Sequence, residues 1–222
     1  MHSSQELRQG TGFMGKIYES IDERLQAWIE QQHLFFVGTA PNQADAHLNI
    51  SPKGVRDSFR VLGPTTVVYL DLVGSGIETV SHLKQNGRIV IMFCAFEGPP
   101  KVVRLHGTGE VIERGSKGFD ELVELFNPSD DYRPLLRSFV RVEVSRISDS
   151  CGFVVPRMDF VAERDQLPKW AVNKQETFGD SWKADYLAAN NQQSIDGIAG
   201  LTIGDAEDAD LVAQQSSSGK AL

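Results

Sequence analysis

The chain has 222 residues, enough for one sizeable core or one domain with a tail, and 41% hydrophobic with 23% charged residues fits an ordinary globular domain. A formal net charge of -8 argues against broad binding to nucleic acid or to an anionic membrane surface. The longest apolar run, near 89–96, is far shorter than the ~20 residues of a membrane-spanning helix, and MHSSQELRQGTGF at the start has no basic stretch leading into an apolar one, so neither a membrane span nor a secretory signal is expected. The two cysteines, Cys94 and Cys151, form no CxxC pair; this fits a reduced, cytoplasmic compartment and neither zinc nor a disulfide framework.

Residues 1–13 read as a disordered leader. A capping box at Ser20-Ile-Asp-Glu23, followed by Ile21, Leu25, Trp28 and Ile29 on one face, predicts an amphipathic helix over 20–32. Short strands follow at 33–39 and 48–51, the second broken by Pro52-Lys53-Gly54. A hairpin joins 58–62 to 66–71 across Gly63-Pro64. The spacing then predicts a helix from a second capping box, Ser75-Gly-Ile-Glu78, to the stop signal Asn86-Gly87. The nearly all-apolar 88–96 should be a strand buried on both faces, and 102–113 a long strand bent or bulged at Gly107 and Gly109. Beyond a helix at 118–126, the alternation of VRVEVSRI marks a strand over 139–147 with one wet face. Residues 151–156 read as an irregular wall and 166–179 as a polar stretch with Trp170 and Phe178. A helix at 182–191 comes next, and the acidic, Ser-rich 204–222 reads as a flexible tail. About six or seven strands with so few helices between them predict a mainly β (α+β) closed antiparallel barrel rather than a layered α/β fold.

The stretch 66–112 carries most of the chemistry. Gly74-Ser75-Gly76 opens a helix, where free amides and the positive dipole end favour an anion such as a phosphate. The competing reading is a capping box that satisfies itself through Ser75 and Glu78. Lys53, at a forced turn, is either a mobile cation for that anion or an ordinary surface lysine. Asn49 and Ser51 alternate with Leu48 and Ile50, so they share a strand face and either line a cavity or meet solvent. Asp71 ends its strand, able to bond ligand hydroxyls or cap the turn. Arg104 interrupts an apolar strand and wants an anion, which a salt bridge to Glu97, Glu110 or a subunit partner would also supply. Phe93, Cys94, Ala95 and Phe96 either flank a bound ring or are plain core, Cys94 reading as a small buried hydrophobe, and His106 is an acid/base group or a hydrogen-bonded core or interface residue. The five histidines show no metal-ligand spacing, and no GxSxG or Ser-His-Asp arrangement is present. The segment 182–201 packs on the barrel or acts as a lid.

Several stretches together resemble the pyridoxamine 5'-phosphate oxidase-like FMN-binding split barrels, and most of all a flavin-nucleotide-binding branch of unassigned activity. They are Met14-Gly-Lys-Ile-Tyr-Glu19, Asn49-Ile-Ser-Pro-Lys-Gly54, Tyr69-Leu-Asp-Leu-Val-Gly-Ser-Gly-Ile-Glu-Thr79 and Met92-Phe-Cys-Ala-Phe-Glu-Gly-Pro-Pro100. Arg104-Leu-His-Gly107, Ser150-Cys-Gly-Phe-Val-Val-Pro156 and Ser194-Ile-Asp-Gly-Ile-Ala-Gly-Leu201 complete the set, which spans roughly 14–201.

The resemblance implies a six-stranded antiparallel split barrel over 14–160, with a helical extension over 161–203. It also implies a homodimer with FMN at its interface, and flavin redox chemistry or flavin storage. It places the FMN phosphate at Ser75, Gly76 and Thr79 with Lys53 as cation, and the flavin edges against Asn49, Ser51, Asp71 and the backbone of Leu70 and Asp71. The oxidases carry an Arg-Lys pair where this chain has Gly76 and Ile77, and a glutamine where it has Val102. Arg104 is the best substitute cation, ahead of Arg56 and Arg60. The expected function is therefore an FMN-dependent oxidoreductase acting on an unidentified small molecule. The alternatives are a non-catalytic flavin-binding module, or the same barrel holding a deazaflavin or haem.

Overall fold

The computed structural model describes residues 15–202. The leader expected at 1–13 and the tail expected at 204–222 lie outside the described residues. The elements run β1 (Ile17–Tyr18), α1 (Glu23–Glu30), β2 (Phe35–Thr39), β3 (Asn49–Lys53), β4 (Phe59–Gly63), β5 (Thr66–Leu72) and α2 (Glu78–Asn86). They continue with β6 (Arg88–Cys94), β7 (Val102–Glu113), α3 (Phe119–Phe126), a 3-10 turn at Arg133–Leu135, β8 (Leu136–Ser150), α4 (Gln166–Phe178) and α5 (Trp182–Asn190).

The described strands form one antiparallel sheet of eight, in the order β3-β2-β6-β7-β8-β5-β4, with β1 beside β8. The expected mainly β, α+β class is observed. The sheet is not closed, however: β3 and β4 are its free ends, which gives a split rather than a sealed barrel. The ladder is irregular where β7 meets β8. The register shifts between His106 and Gly107, and a Cβ on Gly107 would lie 2.2 Å from the Glu143 carbonyl oxygen. The predicted bulge is therefore present, and only glycine fits it.

The barrel interior is packed by Val37, Tyr69, Ile91, Phe93, Leu105, Val142 and their neighbours, with α1 closing one side through Leu25 and Ile29. Phe35, Phe59, Tyr69 and Phe93 meet as tilted and edge-on rings at centroid distances of 5.2–5.6 Å. Because successive side chains point to opposite faces, Val68 and Leu70 leave this interior and pack with Phe119, Phe126 and Phe139 in a second cluster under α3. Each such side chain contributes about 1.5–3 kcal/mol on burial.

Local readings shift in four places. The α1 cap is Asp22, whose Oδ1 accepts from the Leu25 N–H at 2.7 Å; Ser20 does not cap because the Ile21 N–H is held by the Pro64 carbonyl, keeping the chain outside the helix. Strand β3 runs through Pro52 instead of stopping there, which an edge strand tolerates. Strand β6 is buried on one face only, with Val90 and Met92 half-buried on the other. Helix α4 has no buried residue and so no apolar stripe to announce it; Trp170 ties it to α5 by edge-on contacts with Trp182 and Tyr186 at 5.3 and 5.0 Å.

Candidate functional site

Strand pairing settles which way the β3 side chains face. Lys53 lies in register with Phe35, which pairs with Phe93, which pairs with Val103. Those three side chains are interior. Side chains in one such row share a face, so Asn49, Ser51 and Lys53 point inward. Leu48 and Ile50 point out, 77% and 74% exposed. Polar residues inside and apolar ones outside is the reverse of an ordinary half-buried strand, and marks the interior end of β3 as a polar site.

Two hydrogen-bonded groups occupy that end. In the first, Ser51 Oγ donates to Asn49 Oδ1 at 3.2 Å, and Asn49 Nδ2 donates to Thr79 Oγ1 at 2.9 Å on the first turn of α2. Asn49 Nδ2 also approaches Thr39 Oγ1, which bonds His82 Nδ1 at 3.0 Å, while the buried His82 Nε2 has no recorded partner. Burial holds the His82 imidazole below its usual pKa against the opposing pull of Glu78 and Asp196.

The second group centres on Asp71, which is 2% exposed. Its Oδ1 accepts from Lys53 Nζ at 2.9 Å, and its Oδ2 accepts from Arg137 Nε at 2.8 Å, Arg137 Nη2 at 2.7 Å and Ser138 Oγ at 3.2 Å. Burial alone would raise the Asp71 pKa; the Arg137 guanidinium and the Lys53 ammonium outweigh it and hold the carboxyl at about 2. One carboxylate against two cations leaves the cluster with an excess positive charge. Arg137 is buried and largely saturated. Lys53 has a 23% exposed side chain and one recorded hydrogen bond out of three possible, so it is the cation with donors to spare.

Arg137 also organises the glycine loop. Its Nη1 donates to the carbonyls of Gly74 at 3.2 Å and Gly76 at 3.0 Å and to Asn191 Oδ1 at 2.9 Å. Asn191 Nδ2 donates in turn to the Gly74 carbonyl at 3.0 Å, with the Ser75 carbonyl at 3.5 Å. No peptide among the described residues is cis, and a trans peptide sets N–H opposite its C=O. The N–H groups of Ser75 and Ile77 therefore point away from Arg137. Ser75 and Gly76 are exposed, and no acceptor for the N–H of Ser75, Gly76 or Ile77 is recorded among the described residues. The capping-box reading of Ser75 and Glu78 is not realised. The residue before α2 is Ile77, no side chain caps it, and Glu78 Oε1 instead accepts from the Ile195 N–H at 3.4 Å. The helix N-terminus is left with free amides suited to an anion.

The structure thus brings Asn49, Ser51 and Thr79 into one group, and Lys53 and Asp71 into another that supports the loop of Ser75 and Gly76. Leu70 stands apart: its side chain packs in the α3 cluster and its N–H is donated to the Ser58 carbonyl. Arg104 is on the opposite face of the sheet from Lys53, in register with Met92, and donates to Ser150 Oγ at 3.0 Å; the buried Val103 and Leu105 on either side turn it outward. Among the described residues it pairs with neither Glu97 nor Glu110. Cys94 is buried, which raises its thiol pKa, and Cys151 is exposed. Burial, Arg146 and Arg104 lower the His106 pKa.

Sequence reading missed Arg137 and Asn191. The signal for Arg137 was a charge inside the apolar run LLRSFV, a position that demands a partner. For Asn191 there was none. The segment beyond α5 is packed, not free. Ser81 Oγ donates to the Ile198 carbonyl at 3.2 Å, Lys84 Nζ to the Gly200 carbonyl at 2.6 Å, and His47 Nδ1 pairs with Asp196 Oδ1 at 2.7 Å. Among the described residues no cluster of His, Cys, Asp and Glu fits a metal ion, and no helix is long and apolar enough to cross a membrane.

Comparison with known proteins adds the following. No protein-family model matches the chain. A pyridoxamine 5'-phosphate oxidase family protein, ustO, of Aspergillus flavus is 36% identical over 197 residues, which is 83% of this chain and 77% of that protein. Among solved structures, HupZ of Group A Streptococcus is 24% identical with a TM-score of 0.44, over 57% of this chain and 91% of its own. An FMN-binding protein of Syntrophomonas wolfei is 15% identical with a TM-score of 0.43, over 57% and 82%.

Proposed function

This chain belongs to the pyridoxamine 5'-phosphate oxidase family, and on that premise we propose that it is an FMN-dependent oxidoreductase acting on a small molecule. The observation that carries the reading is the loop 74–76. Its amides are turned outward beside the Lys53, Arg137 and Asp71 cluster, which has one more cation than anion, and although the Glu78 carboxylate lies near Gly76 and opposes an anion, free amides with that cluster behind them suit the phosphate of FMN.

The residues present fit the group. The Ser75, Gly76 and Ile77 amides and the Ser75 hydroxyl would hold the phosphate, and Lys53 would offset its charge. Asn49, Ser51 and Thr79 would supply polar contacts beside it, and Asp71 would hold Lys53 in place. Amides and a lysine thus take over from the Arg-Lys pair that the oxidases place where Gly76 and Ile77 stand here. Arg104, on the other sheet face, serves the phosphate of the same subunit poorly and is assigned instead to the face between subunits. When bound, the flavin supplies hydride transfer at its ring. The chain supplies orientation and charge, and no acid or base is assigned.

The same reading includes a homodimer in the cytoplasm with the cofactor at the subunit interface. Its support is the outer face of the sheet, where exposed Ile50 shares a register row with Gly38, Val90 and His106, and Pro52 shares one with Phe36, Met92 and Arg104. Such an apolar face calls for a partner surface.

The test is the visible spectrum and mass of any chromophore released from the purified protein. A flavin band near ~450 nm with the mass of FMN is expected. Colourless protein that takes up no added FMN refutes the reading.

A further inference from the structure

We propose that Asn191, together with Arg137, is a positioning residue that shapes the anion seat from behind, so that the segment beyond α5 is a working part of the cofactor site. This rests on the flavin reading above and goes beyond it by assigning the seat's selectivity for a phosphate to residues that do not touch the ligand.

A glycine-rich loop has no intrinsic reason to present its amides on one side. Glycine populates many backbone conformations, and alternate peptides of an extended chain face opposite ways. Here the choice is made by donors behind the loop. Arg137 Nη1 gathers the Gly74 and Gly76 carbonyls, and Asn191 Nδ2 takes the Gly74 carbonyl at 3.0 Å and reaches the Ser75 carbonyl at 3.5 Å. With the carbonyls drawn to one side, the following N–H groups face the other, which is the arrangement that binds an anion.

Asn191 is itself fixed. It is fully buried, its N–H is donated to the Leu187 carbonyl, and its carbonyl accepts from the Leu201 N–H. Gly200 packs directly against it; a Cβ there would lie 2.3 Å from the Asn191 carbonyl oxygen and 2.8 Å from Ile77 Cγ1. The Asn191 side chain in turn holds Arg137 at 2.9 Å, and Arg137 holds Asp71 and through it Lys53. The chain of contacts thus runs from the C-terminal segment to both halves of the seat. This accounts for a loop that holds phosphate without the two side-chain cations used elsewhere in the family: orientation of the main chain replaces them.

The experiment compares binding of FMN with binding of riboflavin, which has the same ring and no phosphate, in wild type, Asn191→Ala and Asn191→Asp. The aspartate variant is isosteric, keeps an acceptor for Arg137 and loses the donor to Gly74. Both variants should bind FMN about tenfold more weakly, while riboflavin affinity changes less than about threefold. The melting temperature of the ligand-free protein serves as the structural control. A variant that keeps the wild-type ratio of FMN to riboflavin affinity overturns the proposal, as does one in which both affinities fall together. If wild type binds no flavin at all, it is the flavin reading that fails.

Discussion

Replacing Asp71 by asparagine removes one charge from the most buried ion pair described in the molecule and tests whether the cluster is held as argued. Asp71 and Arg137 have side chains only 3% and 4% exposed, at 2.7 Å. Removing one member of such a pair strands the other and costs about 3–5 kcal/mol. In a domain of this size each kcal/mol moves the midpoint by about 2–4 °C, so Asp71→Asn should melt roughly 6–20 °C below wild type. Acid gives an independent magnitude. The Asp71 carboxyl falls from an ordinary 3.8 to about 2 on folding, which is worth about 2 kcal/mol. This figure is smaller because it is net of the burial penalty on the carboxylate. The sign follows from a pKa depressed in the folded state. The stabilisation is complete above about pH 4 and is lost as pH falls toward 2. Thermal melts of both proteins at pH 7, 4 and 2.5 test this. The gap between them should be widest at pH 7 and several degrees smaller at pH 2.5. A gap under about 2 °C at pH 7, or one that is constant with pH, would refute the account of the cluster.

Three further outcomes are expected. His47 hydrogen-bonds Asp196, which raises the imidazole pKa above its usual 6.5, so this tie is complete below that pH and weakens as pH rises through the folded value. Exchange protection of the Gly200 and Leu201 amides, corrected for intrinsic rates, should therefore fall as pH rises through the raised His47 value in wild type and stay level with pH in His47→Asn; equal profiles would remove His47 from the tether. Gly107→Ala should cost about 1–3 kcal/mol at the bulge, whereas Gly63→Ala, whose Cβ meets nothing within 4 Å, should change stability by less than about 0.5 kcal/mol; denaturant midpoints decide it. Lys53→Met should leave the melting point within a few degrees yet lower FMN affinity more than riboflavin affinity, because the ammonium is part-exposed and Asp71 keeps Arg137; equal losses for both ligands would take Lys53 out of the phosphate site.

What could be read from the sequence followed local physics. The stop at Gly87, with φ of 68°, the bulge at Gly107 and the shared face of Asn49 and Ser51 are each dictated by a single residue type or by strand alternation. What could not be read depended on residues far apart in the chain. Whether Asn49 faced a cavity or water was undecidable until β3 was found at the edge with Leu48 and Ile50 outward. The capping box at Ser75 looked complete in sequence, but Glu78 is drawn off by the Ile195 amide, 117 residues away. Arg137 and Asn191 reach the loop across 54 residues of chain from each other, a connection no local pattern encodes. Arg104 stands out in sequence as a charge in an apolar strand, yet it is half-buried and its outward face is set by neighbours whose inward direction only the folded sheet reveals.

The central claim is that the loop 74–76 and Lys53 hold the phosphate of a flavin. The most direct measurement is a side-by-side equilibrium titration of the cofactor-free protein with FMN and with riboflavin. Two charge-assisted hydrogen bonds of about 1.5 kcal/mol each predict at least about a hundredfold preference for FMN. Equal affinity for the two, or no affinity for either, would contradict the account.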